Sequence, residues 1–149
     1  MCESDSRRRG GIQTLRIAVA SNHYTSARID IARLMRPRSI AIVGVSPERG
    51  SPGGGVLDNL ERFRYGGDIR LVSRSRGEVK GRPCVAAIDD LPAGIDLAML
   101  MLPRAAIEAA VAACARRAIG AVVIFAAGFA EAGGEWKAAQ DRVAAVARA

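Results

Sequence analysis

Hydrophobic residues are concentrated in short runs at residues 39–44, 68–73, 97–102 and 121–126. Each run is rich in apolar or β-branched residues, and a polar, proline or glycine-rich break follows it. The run at 97–102 is unbroken, which is typical of a strand that is buried on both faces of a sheet. These runs predict the main strands of the protein, and the connector at 81–85 predicts a minor one.

Between the strands, apolar residues recur at helical spacing. This predicts helices beginning near Gly53, over residues 104–118 and over 135–149. Their apolar positions are Val56, Leu57, Leu60 and Phe63, then Ile107, Ala110, Val111 and Cys114, then Trp136, Ala139, Val143 and Val146. Alternating strands and helices predict an α/β fold, a Rossmann-like doubly wound parallel sheet with helices on both faces, in a single domain. Ligands of such sheets bind beyond the carboxyl ends of the strands.

The N-terminal part of the chain does not fit this alternation. Residues 1–25 are polar, rich in arginine and weakly patterned, so we expect a disordered tail. Residues 26–149 then form the domain. Ser26 is expected to cap a short helix that Pro37 ends, with Ile29, Ala32, Leu34 and Met35 on its apolar side.

Composition narrows the functional classes. The 149 residues carry a formal net charge of +7, nearly all of it from arginine. The charge is spread without interleaved aromatic residues, so we expect no nucleic-acid partner. No apolar run reaches about 18 residues and no secretory signal is visible, so we expect no membrane span and a cytoplasmic location. Three widely spaced cysteines argue against a disulfide framework, and Cys84 and Cys114 are expected to be buried thiols.

A glycine-rich loop follows the first strand. Gly44 stands where the strand must turn, and the helix beginning near Gly53 directs free N–H groups at the loop, which suits a phosphate. Ser46 occupies the second glycine position of a dinucleotide motif, and no Gly-Lys-Ser/Thr ends the loop. A glycine-rich surface turn without a ligand remains an alternative.

The end of the second strand discriminates between nucleotides. NAD-binding sheets place an acidic residue there, whereas this chain has Ser73-Arg74-Ser75-Arg76. Arginine and serine attract a ribose phosphate, so the sequence disfavours NAD and allows NADP or coenzyme A. Solvated loop charges without a ligand are the alternative.

Several segments together resemble a known family. They are PRSIAIVGVS at 37–46, the loop through Ser51 and Gly53, GRPCVAAIDDLPAGIDLAMLMLP at 81–103, and VVIFAAGFAEAG at 122–133. They resemble the CoA-binding domain of nucleoside-diphosphate-forming acyl-CoA synthetases. These are the acetate–CoA ligases (ADP-forming), related to the succinyl-CoA synthetase α subunit. The same domain occurs in some CoA-dependent protein acetyltransferases. The resemblance covers about residue 34 to the C-terminus.

The resemblance implies a role for each loop. The residues matching the loop that cradles the CoA phosphates are Gly44, Ser46, Ser51 and Gly53. The positions that meet the adenosine end are Ser73, Arg74 and Arg76, where the family usually has valine-asparagine-proline-lysine. Leu102 and Pro103 match a strand-end proline close to the adenine or pantetheine. Gly128, Phe129 and Glu131 match a segment near the reactive thiol, with Ala127 in place of its serine.

The resemblance also implies that catalysis lies elsewhere. In full-length relatives an acyl phosphate and a phosphorylated histidine carry the reaction, with ATP and Mg²⁺ handled by an ATP-grasp domain. The only histidine here, His23, lies outside the matching region, and we assign no catalytic residue or metal ligand. We expect the fold to be truncated before its last strand, which would leave a sheet edge able to form a homo-oligomer.

The leading interpretation is therefore a module that binds CoA or acyl-CoA, inactive alone, and completed by ATP-grasp and phosphohistidine domains or a partner subunit. The alternatives are an NADP-binding oxidoreductase fragment and a non-catalytic regulatory module. The last would be favoured if Arg49 filled the phosphate site. The Asp89-Asp90 pair is interpreted as a helix cap or turn.

Overall fold

The computed structural model describes residues 31–126 and 135–148. The helices are α1 (Ile31–Met35), α2 (Pro52–Arg62), α3 (Ile107–Arg116) and α4 (Glu135–Arg148), and the strands are β1 (Ser39–Val43), β2 (Asp68–Val72), β3 (Glu78–Val79), β4 (Arg82–Val85), β5 (Leu97–Leu100) and β6 (Ala121–Ile124). Single turns of 3-10 helix occupy Ile88–Asp90 and Arg104–Ala106. The expected tail, 1–25, and the start of the expected first helix lie outside the described residues.

The strands form one sheet in the order β3-β4-β2-β1-β5-β6. All pairs are parallel except β3 with β4, which is antiparallel. The chain first moves outward from β1 through β2 to β4 and then returns to place β5 on the other side of β1. The strand order therefore reverses between β1 and β5, and this arrangement confirms the Rossmann-like α/β fold.

Each face of the sheet is covered by a separate hydrophobic cluster. Because successive side chains of β1 alternate, Ile40 and Ile42 pack beneath α2, whereas Ala41 and Val43 face the side that carries α3. Leu57 of α2 and Ile107 of α3 are fully buried in these clusters. The helices are thus held by burial of their apolar sides, which is the main source of helix stability in such folds.

Several local predictions are corrected. The short helix α1 buries none of its residues, and Met35 is largely exposed. Cys84 is only half-buried, whereas Cys114 is buried as expected. The helix predicted over 104–118 begins with a 3-10 turn, and its regular part is shorter. The antiparallel strand β3 was not predicted, because two residues are too few to produce a periodic pattern.

A buried carboxylate joins α1 to the amino end of the sheet. Asp96, which is 5% exposed, accepts a hydrogen bond from Arg33 Nε at 2.8 Å and one from the Arg38 backbone N–H at 2.8 Å. The Asp96 backbone N–H in turn donates to Ser39 Oγ at 3.0 Å. The Arg38 hydrogen bond first, and then the Arg33 guanidinium, hold the pKa of the Asp96 carboxyl below its ordinary value.

Candidate functional site

The first loop leaves β1 at the point where the strand order reverses. Gly44 has a φ of +86°, and a Cβ on it would overlap the carbonyl oxygen of Met101, which follows β5. Gly44 also donates its N–H to Val72 O of β2 at 3.0 Å. Only glycine provides both the left-handed backbone and the close approach, so this residue brings the ends of β1, β2 and β5 together.

Ser51 closes the loop and caps α2. Its hydroxyl donates to Ser46 O at 2.7 Å and accepts from the Gly54 N–H at 3.2 Å. Ser51 is the N-cap, Pro52 begins the helix, and Gly53 is buried with no space for a Cβ, which would lie 2.9 Å from Val45 Cα. Ser51 and Gly53, which the resemblance assigns to the phosphate-binding loop, thus shape this loop and the helix N-terminus.

A cleft of about 540 Å³ opens beyond the carboxyl ends of the strands. This volume lies in the range of small-molecule sites. The strand ends and loops contribute Val43–Ser46, Val72–Ser75, Ala86–Asp89 and Met101–Pro103, and the α3 side contributes Ala106, Ala109, Ala110, Ala113 and Arg116. Because the alanine side chains on this side are small, they leave space for the cleft along α3.

The predicted site residues are only partly brought together here. Gly44, Ser46, Ser73, Arg74, Leu102 and Pro103 line the cleft, whereas Ser51, Gly53 and Arg76 do not. Gly128, Phe129 and Glu131 lie outside the described residues. Arg49, which would fill the phosphate site in the regulatory alternative, is exposed and does not line the cleft.

The wall after β2 carries an available positive charge. Ser73 is buried, and its N–H donates to Val85 O of β4 at 3.0 Å, which fixes the start of this loop. Arg74 follows at the cleft surface and is exposed. Within the described part of the chain its guanidinium has no hydrogen bond or ion pair, so it is free to meet an anionic ligand.

The opposite wall carries an ion pair that sequence reasoning missed. Arg116 Nε lies 3.1 Å from Asp89 Oδ1, and Arg116 Nη2 lies 2.8 Å from Asp89 Oδ2. These hydrogen bonds hold the pKa of the Asp89 carboxyl below its ordinary value and raise the pKa of Arg116. The predicted cap or turn at Asp89-Asp90 is confirmed, because both residues lie in the 3-10 turn and Asp90 accepts from the Ala87 N–H at 3.0 Å, while the Asp89 side chain also forms the ion pair.

Other reactive groups are poorly suited to chemistry in the cleft. Cys114 of α3 is buried in the core, and desolvation raises the pKa of its thiol to about 11, which keeps it protonated at neutral pH. In the two described ranges, no three histidine, cysteine or acidic residues are grouped so that they could hold a metal ion. Among the helices described there, none has the length and apolar character needed to cross a bilayer.

Comparison with known proteins identifies the family. Residues 38–149 match the CoA binding domain, and the chain belongs to this family. The chain is 39% identical over 129 residues to trans-feruloyl-CoA synthase FCS1 of an unknown prokaryotic organism, a match that covers 87% of this chain and 18% of the relative. It is 34% identical over 101 residues to acetate–CoA ligase [ADP-forming] I of Archaeoglobus fulgidus, covering 68% and 14% of the two chains.

Solved structures agree with this assignment. PH0766 from Pyrococcus horikoshii OT3 superposes with a TM-score of 0.73 at 28% identity, covering 78% of this chain and 27% of that one. The apo form of the dinucleotide forming acetyl-coenzyme A synthetase 1 of Ca. Korarchaeum cryptofilum superposes with a TM-score of 0.74 at 24% identity, over 79% and 25%, and shows the same fold. The resemblance to nucleoside-diphosphate-forming acyl-CoA synthetases is confirmed, and the chain spans less than a fifth of the length of the two curated relatives named above.

Proposed function

We propose that this chain binds coenzyme A or acyl-CoA in the cleft, as the CoA-binding module of a nucleoside-diphosphate-forming acyl-CoA synthetase. The observation that carries the proposal is the position of the cleft, which opens where the strand order reverses and includes both the Gly44 turn and the unpaired Arg74. Nucleotide ligands of doubly wound sheets bind at this point of the fold. Membership of the CoA binding domain family supports the same ligand.

The arrangement of the cleft suggests how CoA would lie. The pyrophosphate would rest against the loop at Gly44–Ser46, where the N-terminal N–H groups of α2 favour negative charge. The 3′-phosphate would meet Ser73 and Arg74. The pantetheine would leave past Leu102 and Pro103, and the family resemblance assigns Gly128, Phe129 and Glu131 to its thiol end.

The chemical steps would be carried out by other domains. We assign the formation of the acyl phosphate, the phosphohistidine, ATP and Mg²⁺ to ATP-grasp and phosphohistidine domains in the same polypeptide or in a partner subunit. A subunit relative supports this assignment: the chain is 30% identical over 111 residues to the α subunit of acetate–CoA ligase [ADP-forming] II from Pyrococcus furiosus, covering 74% of this chain and 24% of that one. This module alone would bind CoA and catalyse no reaction.

Calorimetric titration of the chain with CoA, and separately with NADPH, tests the proposal. We expect saturable binding of CoA and no heat of binding with NADPH. Binding of NADPH alone would make the protein an NADP-binding oxidoreductase fragment. If neither ligand binds, the cleft is not a CoA site in this chain, and a non-catalytic regulatory module becomes the better interpretation.

A further inference from the structure

Among the ion pairs of the described residues, the Asp89–Arg116 pair is distinguished by its place in the cleft wall. Arg74, Asp89 and Arg116 are the charged residues of the cleft wall, and no other ion pair in the described ranges has a member there. The cleft therefore contains one available cation and one cation that a carboxylate already neutralises.

The sheet order places Arg74 and Asp89 after neighbouring strands, beside the same cleft. Arg74 follows β2 and Asp89 lies on the segment that follows β4, and these strands are neighbours in the sheet. The glycine-rich loop follows β1, on the other side of β2. Adjacent strands lie about 4.8 Å apart. A phosphate that meets Arg74 would thus lie one strand away from Asp89 on one side and one strand away from the Gly44 loop on the other, and Arg116 lines the same cleft.

The geometry of the ion pair would allow a phosphate to replace the Asp89 carboxylate on Arg116. Asp89 binds the Nε–Nη2 edge of the guanidinium, and a phosphate binds the same edge with the same bidentate geometry. The side chains of Asp89 and Arg116 are 54% and 59% exposed, so the carboxylate released from Arg116 would be hydrated at once. Breaking a solvent-exposed pair of this kind costs little.

From these observations we propose that Arg116 is a second phosphate-binding residue of the cleft, and that Asp89 competes with the ligand for it. This inference rests on the proposed function and adds a specificity determinant to it. The 3′-phosphate of CoA would displace Asp89 and lie between Arg74 and Arg116. Asp89 would thereby favour ligands that carry the 3′-phosphate, because a ligand without this phosphate cannot replace the carboxylate on Arg116.

A set of charge variants tests the exchange, with CoA and 3′-dephospho-CoA as the titrants. Removing the competitor in Asp89→Asn should tighten CoA binding by about threefold to tenfold, since an exposed charge near a phosphate is worth about that much. Arg116→Gln should weaken CoA binding by a similar factor. The gain from Asp89→Asn should shrink when Arg116→Gln is also present, and all changes should diminish as salt is raised.

The matched control is Glu61→Gln. Glu61 pairs with Arg82 Nε at 3.0 Å in another exposed arginine–carboxylate pair, outside the cleft. This substitution makes the same change in net charge as Asp89→Asn, and we expect it to leave CoA binding within about twofold of the unaltered chain, as a remote surface charge should. Circular dichroism melting of each variant separates lost binding from lost folding.

Each outcome bears on a distinct claim. Unchanged or weaker CoA binding by Asp89→Asn, in a chain that binds CoA, would overturn the competition and leave the CoA site standing. Equal changes for CoA and 3′-dephospho-CoA would also overturn it, because the 3′-phosphate would then not be the group that exchanges. If the unaltered chain binds neither ligand, the proposed function fails, and this inference fails with it.

Discussion

The backbone of Gly44 lies directly against the carbonyl oxygen of Met101, although 57 positions separate the two residues in the numbering. This approach brings the ends of β1 and β5 together at the point where the strand order reverses. It also forms part of the cleft wall, since both residues line the cleft. The stability of the fold and the shape of the candidate site therefore depend on the same close contact.

Replacing Gly44 by alanine should destabilise the protein by about 2–4 kcal/mol, because a Cβ would both strain a positive φ and overlap a backbone atom. Gly50 is the matched control, with a φ of +78° and nothing within 4 Å of an added Cβ. Gly50→Ala should cost about 1 kcal/mol, from backbone strain alone. Urea denaturation measures both. Equal losses would contradict the tight contact with Met101.

Arg74→Glu should weaken binding of CoA by at least about tenfold and binding of 3′-dephospho-CoA by much less, because charge reversal replaces attraction of the 3′-phosphate by repulsion. Arg76→Glu makes the same change two positions away, at a residue that does not line the cleft. Its effect should be several times smaller. Calorimetric titration measures both variants. If Arg74→Glu weakens the binding of CoA and of 3′-dephospho-CoA equally, Arg74 does not contact the 3′-phosphate.

Ala109→Leu should obstruct the cleft without disturbing the core. Ala109 is exposed on α3 and lines the cleft, so a larger side chain there would occupy ligand space. We expect CoA affinity to fall by about tenfold or more, as steric exclusion from a formed pocket requires. Ala115→Leu is the control, exposed on the same helix but outside the cleft lining. Weakening by both variants alike would mean that CoA does not lie along α3.

Asp96→Asn should lower the thermal unfolding midpoint at pH 7, because the amide oxygen cannot replace the charge that Arg33 and Arg38 N–H contact. Since the Asp96 pKa is lowered in the folded protein, its contribution to stability is present above the unfolded pKa of about 4 and is lost as pH falls through the folded value. The difference between the variant and the unaltered chain should therefore shrink below about pH 4.

Thermal melts from pH 7 down to pH 3 measure this difference. Asp141→Asn provides the comparison, because Asp141 belongs to an exposed pair with Lys137 within one helix. It should leave the midpoint nearly unchanged across the range. A loss in Asp96→Asn that stays constant with pH would show that the Asp96 charge does not contribute to stability.

The sheet could be predicted from the sequence because its strands are strongly patterned. Residues 97–102 are apolar throughout, and β5 within them is buried against both β1 and β6. The regular helices follow from their apolar spacing. The failures are at short or marginal elements: β3 has too few residues to show a period, and α1 places apolar side chains such as Met35 in solvent. The spacing of apolar residues along the chain does not tell whether another element covers them, so the exposure of Met35 could not be predicted.

The candidate site was predictable only where it follows a strand end. Gly44, Ser73 and Pro103 come directly after apolar runs, and the parallel sheet brings those positions together. The Asp89–Arg116 pair could not be found in the same way, because its members are 27 residues apart on irregular and helical segments. The alanines of α3 did give a signal, since small residues at helical spacing leave room, but that pattern also fits simple helix packing.

The most direct test of the CoA site is amide hydrogen exchange of the chain with and without CoA. We predict slower exchange in the presence of CoA at the cleft segments 44–46, 73–75 and 102–106. The C-terminal half of α2, around Leu60 on the far face of the sheet, should be unchanged. Slowing of exchange at the far face, or CoA binding that leaves all the cleft segments unaltered, would contradict the account.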